Sequence, residues 1–214
     1  MRFIFVRHGE SVYNTEGRMQ GHLDVELSQA GIRQAQRAAE ALADADIAAV
    51  YASDLRRAYV TAEIIAAKHM LPVIRDPLIR EVYLGKWQGL SIEEIAERYP
   101  REHEAYKRDS ISNRPPDAER LESLIDRVRR FIEKVAVEGP RGDVVVGGHG
   151  GVIRGALCCA LEAGPELYRR VRLDNAGVTI VEVNPPGGAS VLNVNDVCHL
   201  QTCDDPLSIE GAEV

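Results

Sequence analysis

Phe3-Ile4-Phe5-Val6-Arg7-His8-Gly9 runs four apolar residues straight into a base, a histidine and a glycine. Far along the chain, Asp143-Val144-Val145-Val146-Gly147-Gly148-His149-Gly150-Gly151 does the same, with helix-like apolar sequence beyond it. A short continuous apolar run between charge and glycine reads as a strand buried on both faces. Strand, histidine, glycine, helix therefore occurs twice, and everything between has to bring those two strands into one sheet.

The intervening sequence supplies the means. From Ser28, a candidate N-cap, Ile32, Ala35, Ala39 and Leu42 recur at helical spacing. Ala48 to Tyr51 reads as a second strand, and Leu55, Ala58, Ala62 and Ile65 line a second helix. Strands alternating with helices predict parallel pairing. From about Arg75 to Pro116 the pattern is irregular; it contains a charged helical stretch, Ser91 to Arg98, ending before Pro100, and reads as an excursion from the sheet. Leu121, Leu124, Val128, Ile132 and Val135 mark a long amphipathic helix closed by Gly139-Pro140. Val178–Val183 and Ala189–Val194, joined by Asn184-Pro185-Pro186-Gly187-Gly188, predict an antiparallel hairpin at one side of the sheet.

Length and charge set the outer bounds. With 214 residues the chain fits one generous domain, spanning 1–214, with a cap-like excursion at 82–118. The end, 201–214, carries Asp204, Asp205, Glu210 and Glu213 with no base and is expected to be a mobile acidic tail. A net charge of −7 argues against bulk attraction to nucleic acid or to an anionic membrane, so any phosphate must be held by a local cluster. The basic residues are 22 Arg to 4 Lys, rich in the forked side chain that grips anions bidentately. No apolar run reaches the length of a spanning helix or a signal peptide, which places the chain in the cytoplasm, and adjacent Cys158 and Cys159 read as small buried hydrophobes. Cys198-His199 with Cys203 offers only three ligands at a spacing unlike a zinc finger.

Chemistry follows from where the strands end. In an open parallel sheet the ligand crevice lies beyond the carboxyl ends of the strands, which is where His8 and His149 fall. Ser53-Asp54-Leu55-Arg56-Arg57 opens a helix at the same edge, so Arg7 and Arg57, with Arg154 a further candidate, surround two imidazoles. Arginines repel a metal and attract a tetrahedral dianion. Clustered positive charge also keeps an imidazole neutral and nucleophilic. A phosphoryl group passed to nitrogen needs an acid for its leaving oxygen, and Glu81, in Leu78-Ile79-Arg80-Glu81-Val82-Tyr83, is the candidate.

Arg7-His8-Gly9-Glu10, Asn14, Gln20-Gly21, Leu27-Ser28 to Gly31, Leu55, Arg57-Ala58, Thr61-Ala62, Glu81, Gly85, Trp87, Gly89 and Gly148-His149-Gly150-Gly151-Val152-Ile153-Arg154 together resemble the histidine phosphatase superfamily, which includes phosphoglycerate mutases and related phosphatases. The likeness runs over roughly residues 1 to 200. It implies an α/β fold, a three-layer α/β/α sandwich whose mostly parallel sheet has an antiparallel edge. It also implies that His8 is phosphorylated, that Arg7, Arg57 and His149 hold the phosphoryl oxygens, and that Glu81 protonates the leaving alcohol and then activates water. Asn14, Gln20, Gly21 and Gly150 match substrate-binding positions, and neither metal nor organic cofactor is needed.

Two departures bear on the activity. The turn after Pro115-Pro116 reads Asp117-Ala118-Glu119-Arg120, with arginine where the family has a small hydroxyl. Glu81 to Glu119 is 119 − 81 = 38 residues, shorter than the excursion of the mutases, leaving less protein to close over a retained intermediate. The expected activity is a metal-independent phosphatase acting on a small phosphorylated metabolite. A phosphoglycerate mutase and a non-catalytic phosphoryl-binding module are the alternatives, and a homodimer is the expected assembly. Trp87 is read as packing for the excursion. In the basic run Arg98, Arg101, Lys107, Arg108, Arg114 and Arg120, interleaved acids point to a solvated face.

Overall fold

The computed structural model describes residues 1–184 and 188–201. Part of the hairpin turn expected at 184–188, and the acidic tail beyond Gln201 with Cys203, lie outside the described residues.

One six-stranded sheet organises the molecule, in the order β3-β2-β4-β1-β5-β6. Its strands are β1 (Arg2–Arg7), β2 (Ile47–Ala52), β3 (Val73–Arg75), β4 (Asp143–Gly148), β5 (Val178–Val183) and β6 (Ala189–Asp196). The first four lie parallel; β5 joins β1 antiparallel and β6 joins β5 antiparallel, forming the expected edge. The strand faces sort by the two-residue period. Phe3 and Phe5 of β1 and Val144 and Val146 of β4 enter one core, while Ile4, Val6 and Val145 enter the other. A strand buried on both faces reads as unbroken apolar sequence, which is what Phe3 to Val6 shows.

Helices cover the two faces. On one, α2 (Gln29–Ala41) and α3 (Arg56–His69) bring Ala38, Ala39, Ala62 and Ile65 onto the sheet. On the other, α6 (Leu121–Glu138) and α7 (Gly150–Ala160) bring Leu124, Val128, Phe131, Ile153 and Leu157. Ser28 caps α2 by accepting the Gly31 N–H, as its position predicts. A short helix, α1 (Val12–Thr15), follows β1 and is closed by a capping box in which Ser11 and Asn14 bond each other's backbone.

The excursion holds one helix beyond those read from the sequence. Helix α4 (Ile92–Arg98) does end before Pro100, but the chain re-enters helix at once as α5 (Pro100–Arg108). Proline is tolerated at the first helical position, where its missing N–H has no partner to lose. Trp87 is fully buried, edge-on to Tyr106 (5.0 Å between ring centroids) and His103 (6.2 Å), and so holds the excursion together. Among the described residues no helix is long and apolar enough to cross a membrane.

Candidate active site

Because β1 and β4 are neighbours, with Arg7 opposite Gly148, their carboxyl ends deliver His8 and His149 side by side. The two rings lie 5.3 Å apart between centroids, edge to face. Both are buried, and His149 is the N-cap residue of α7. His8 Nδ1 lies 2.7 Å from the Gly9 carbonyl. A carbonyl only accepts, so Nδ1 carries the proton and Nε2 presents its lone pair. Burial first, then Arg57 and Arg7, push the His8 pKa well below the ordinary 6.5. Burial, Arg57 and His8 do the same to His149, whose two ring nitrogens have no hydrogen-bond partner in the protein.

Arg57 sits in the first turn of α3 and is 1% exposed. Its Nη1 and Nη2 donate to the carbonyls of Leu23 and Gly21 (2.8 Å each), while its Nε is buried without a partner. Burial draws its pKa down to about 10, opposed by Glu81 and Asp24, so it stays charged at neutral pH. Arg7 donates through Nη1 to the Leu173 carbonyl, and its Nε is likewise buried and unpartnered. Two guanidinium edges and an imidazole thus keep unused hydrogen-bonding nitrogens around His8, and buried polar groups are rarely left so without a role. Thr61 fixes the arrangement by accepting from Gly9 N–H (3.1 Å) and donating to the Arg57 carbonyl (2.8 Å).

Glu81 reaches the same region from the loop that follows β3. Its Oε1 accepts the N–H of Gly151 at 3.0 Å and of Val82 at 2.8 Å, placing the carboxylate against the positive end of α7. The glycine is required by space, since a Cβ on Gly151 would lie 2.2 Å from Glu81 Oε1. Gly150 is less crowded, a Cβ there lying 3.2 Å from Arg154 Nη1 and 3.8 Å from Arg7 Nε. Arg154 also donates through Nε to the Val171 carbonyl.

The first loop has a supporting part. Asn14 Oδ1 and Gln20 Oε1 share the Ser11 hydroxyl (2.9 Å each), and Asn14 accepts the Ser11 N–H. Gly21 takes positive φ (+53°) and turns its carbonyl onto Arg57. Arg7, His8, Arg57, His149, Glu81 and Gly150 are brought together. Asn14, Gln20 and Gly21 brace the loop beside them. Three residues absent from the sequence reading also belong here. His22 Nε2 contacts the Glu81 carbonyl at 2.7 Å, Arg127 donates to that same oxygen at 2.9 Å, and the Tyr168 hydroxyl donates to the Gly151 carbonyl at 2.6 Å. Arg127 had a legible signal, a charge between Leu124 and Phe131 on the apolar stripe of α6. No group of three His, Cys, Asp or Glu side chains suited to a metal occurs among the described residues.

Neutral imidazoles among fixed cations suit phosphoryl transfer, and that is the class of chemistry this fold and pocket define. Comparison with known proteins makes it particular: the chain belongs to the histidine phosphatase superfamily, branch 1, whose family model matches residues 3–197. It is 40% identical over 205 residues to phosphoglycerate mutase-like protein 4 of Arabidopsis thaliana, covering 92% of this chain and 86% of that one. It is 32% identical over 200 residues to phosphoserine phosphatase 1 of Hydrogenobacter thermophilus, covering 94% of each. Among solved structures it is similar to a mycobacterial glucosyl-3-phosphoglycerate phosphatase complexed with VO3, with TM-score 0.81 and 30% identity over 91% of this chain and 98% of that one. The membership supports phosphatase activity carried by a histidine.

Proposed function

We propose that the protein is a metal-independent phosphomonoesterase that hydrolyses a small phosphorylated metabolite through a phosphohistidine on His8. The observation that carries this reading is the hydrogen bond from His8 Nδ1 to the Gly9 carbonyl, which aims a neutral Nε2 lone pair into a nest of unused guanidinium and imidazole nitrogens. In the first step Nε2 attacks phosphorus, the P–O ester bond breaks, and its electron pair leaves on the alkoxide oxygen. Glu81 gives that oxygen a proton. Arg7, Arg57 and His149 hold the three equatorial oxygens as charge spreads over them. In the second step Glu81 takes a proton from water, the water oxygen attacks phosphorus, and the P–N bond breaks to return His8 and inorganic phosphate.

Hydrolysis is favoured over transfer back to substrate by the short excursion, whose α5 packs His103 and Tyr106 on Trp87. The relatives named as phosphatases, phosphoserine phosphatase 1 among them, support the same choice. The test is a panel of phosphomonoesters, including phosphoserine and 3-phosphoglycerate, assayed with chelator for free phosphate and for phosphoryl relocation, with His8→Ala as control. Phosphate release lost in His8→Ala is the expected result. Relocation between 2- and 3-phosphoglycerate without release identifies a mutase instead. No turnover, with phosphate still stabilising the fold, identifies a binding module.

A further inference from the structure

The peptide unit between Glu81 and Val82 is held from both sides. Its carbonyl oxygen receives His22 Nε2 at 2.7 Å and Arg127 Nη2 at 2.9 Å. Its N–H, which in a trans peptide points the opposite way, donates to Glu81 Oε1 at 2.8 Å. Whatever orients the carbonyl therefore orients the donor that steadies the carboxylate.

Arg127 is built for the task. It sits on the core-facing stripe of α6 with its side chain 11% exposed, and its Nη1 donates to the carbonyls of Leu78 (2.7 Å) and Arg80 (2.6 Å). Its Nε and Nη2 grip Glu119 at 2.8 and 3.0 Å, and Glu119 Oε2 in turn accepts the Tyr83 N–H at 3.2 Å. One guanidinium thus gathers the loop on either side of Glu81.

His22 supplies the second point. Its ring packs against Tyr83, 5.3 Å between centroids, and its own N–H donates to Gln88 Oε1 at 2.6 Å. Its neighbours in sequence, Gly21 and Leu23, present the two carbonyls that hold Arg57. His22 is therefore the residue of the first loop that touches the acid/base loop while its neighbours fix the oxyanion guanidinium.

We propose that His22 and Arg127 are positioning residues, a two-point clamp on the Glu81 carbonyl that sets the Glu81 carboxylate in place for proton transfer. The inference rests on the reading of Glu81 as proton donor to the leaving oxygen. That role is needed for an alkoxide leaving group and hardly at all for p-nitrophenolate, which leaves unaided.

The experiment compares the burst of p-nitrophenolate from p-nitrophenyl phosphate with turnover of an alkyl phosphomonoester, in the full chain carrying His22→Leu, His22→Gln, Arg127→Met or Glu81→Gln. A misplaced general acid costs about 10²-fold, so His22→Leu is expected to lower alkyl ester turnover by about that much and to shift the ratio of the two rates at least about thirtyfold. His22→Gln, whose amide keeps a donor, recovers most of the ratio. Arg127→Met shifts it in the same direction; where that variant does not fold, the His22 pair decides alone. Equal losses on both substrates, or none, overturn the clamp. Glu81→Gln separates the two ideas: if it leaves the ratio unchanged, the acid assignment itself is wrong, whereas a changed ratio there with none in His22→Leu removes only the clamp.

Discussion

Gly151→Ala isolates the Glu81 carboxylate with one methyl group. The new Cβ falls 2.2 Å from Glu81 Oε1, 3.3 Å from its Cδ and 3.3 Å from Leu124 Cδ2. Reaching an ordinary contact of 3.4 Å moves the carboxylate oxygen by about 1.2 Å, away from the Gly151 N–H that holds it at 3.0 Å. A misplacement of about 1 Å costs on the order of 10²-fold in rate, and complete loss of a general acid about 10² to 10⁴-fold, so kcat on alkyl phosphomonoesters is expected to fall by about 10² to 10³. Stability moves little. The close contact is with the far end of the Glu81 side chain, which can shift, and the alanine sits in the first turn of α7, where the gain over glycine is below the roughly 1 kcal/mol of a helix interior. The assay is kcat and KM on the best substrate of the panel, beside urea unfolding of both proteins. A variant as stable as the parent whose kcat stays within about twofold refutes the reasoning, because Glu81 is then either not held at Gly151 or not used.

Three further outcomes follow from the same geometry. Orthovanadate at about 100 times its Kd is expected to stabilise the fold by about 2.7 kcal/mol, and Arg57→Ala to abolish most of this in a thermal melt; equal stabilisation in both removes Arg57 from the oxyanion pocket. The working His8 is neutral and its pKa is pushed below 6.5 by burial, Arg57 and Arg7, so kcat/KM is expected to persist on acidification past pH 6.5; a fall centred on 6.5 contradicts it. His8 and His149 are both buried with lowered pKa, while the unfolded chain takes up their protons near 6.5. Folding stability is therefore complete above that value and declines as pH falls below it, less steeply in His149→Gln, and urea melts at pH 7.5 and 5.5 showing no decline would rule this out.

The paired histidines were legible because burial on two faces leaves a plain mark: Phe3 to Val6 and Val144 to Val146 have no polar residue to signal an exposed side. Their adjacency was not written locally. It arises because the chain leaves β1, builds β2 and β3 on the far side of an open slot, and fills that slot with β4 only after the excursion. Pro100 marked the end of α4 as read, but the helix it opens went unread, because a proline that bars one helix from continuing can start the next without losing a hydrogen bond. His22 left no trace in the sequence because its contact, the Glu81 carbonyl, is a backbone atom 59 residues away. Such contacts depend on two loops meeting, and neither periodicity nor composition records which backbone oxygen a loop side chain will find. Arg127 was partly readable, a charge on a stripe otherwise committed to the core, where a buried guanidinium must have partners.

The first loop teaches the same lesson from the other side. Asn14 and Gln20 are polar groups in a turn, and the structure engages both with Ser11. Gly21 owes its place to a positive φ and to the Gln88 side chain, whose Oε1 a Cβ there would meet at 2.3 Å. Short-range chemistry explains the turn, and the Arg57 anchor explains why the turn must lie where it does.

The most direct test of the central claim is to quench the enzyme during turnover of a phosphomonoester and map the covalent phosphate by peptide mass spectrometry under alkaline conditions, where phosphohistidine survives, and again after acid, where it does not. The account predicts an acid-labile phosphate on the peptide containing His8 and none in His8→Ala. Phosphate released at full rate with no phosphoenzyme, or a label on His149 instead, contradicts it.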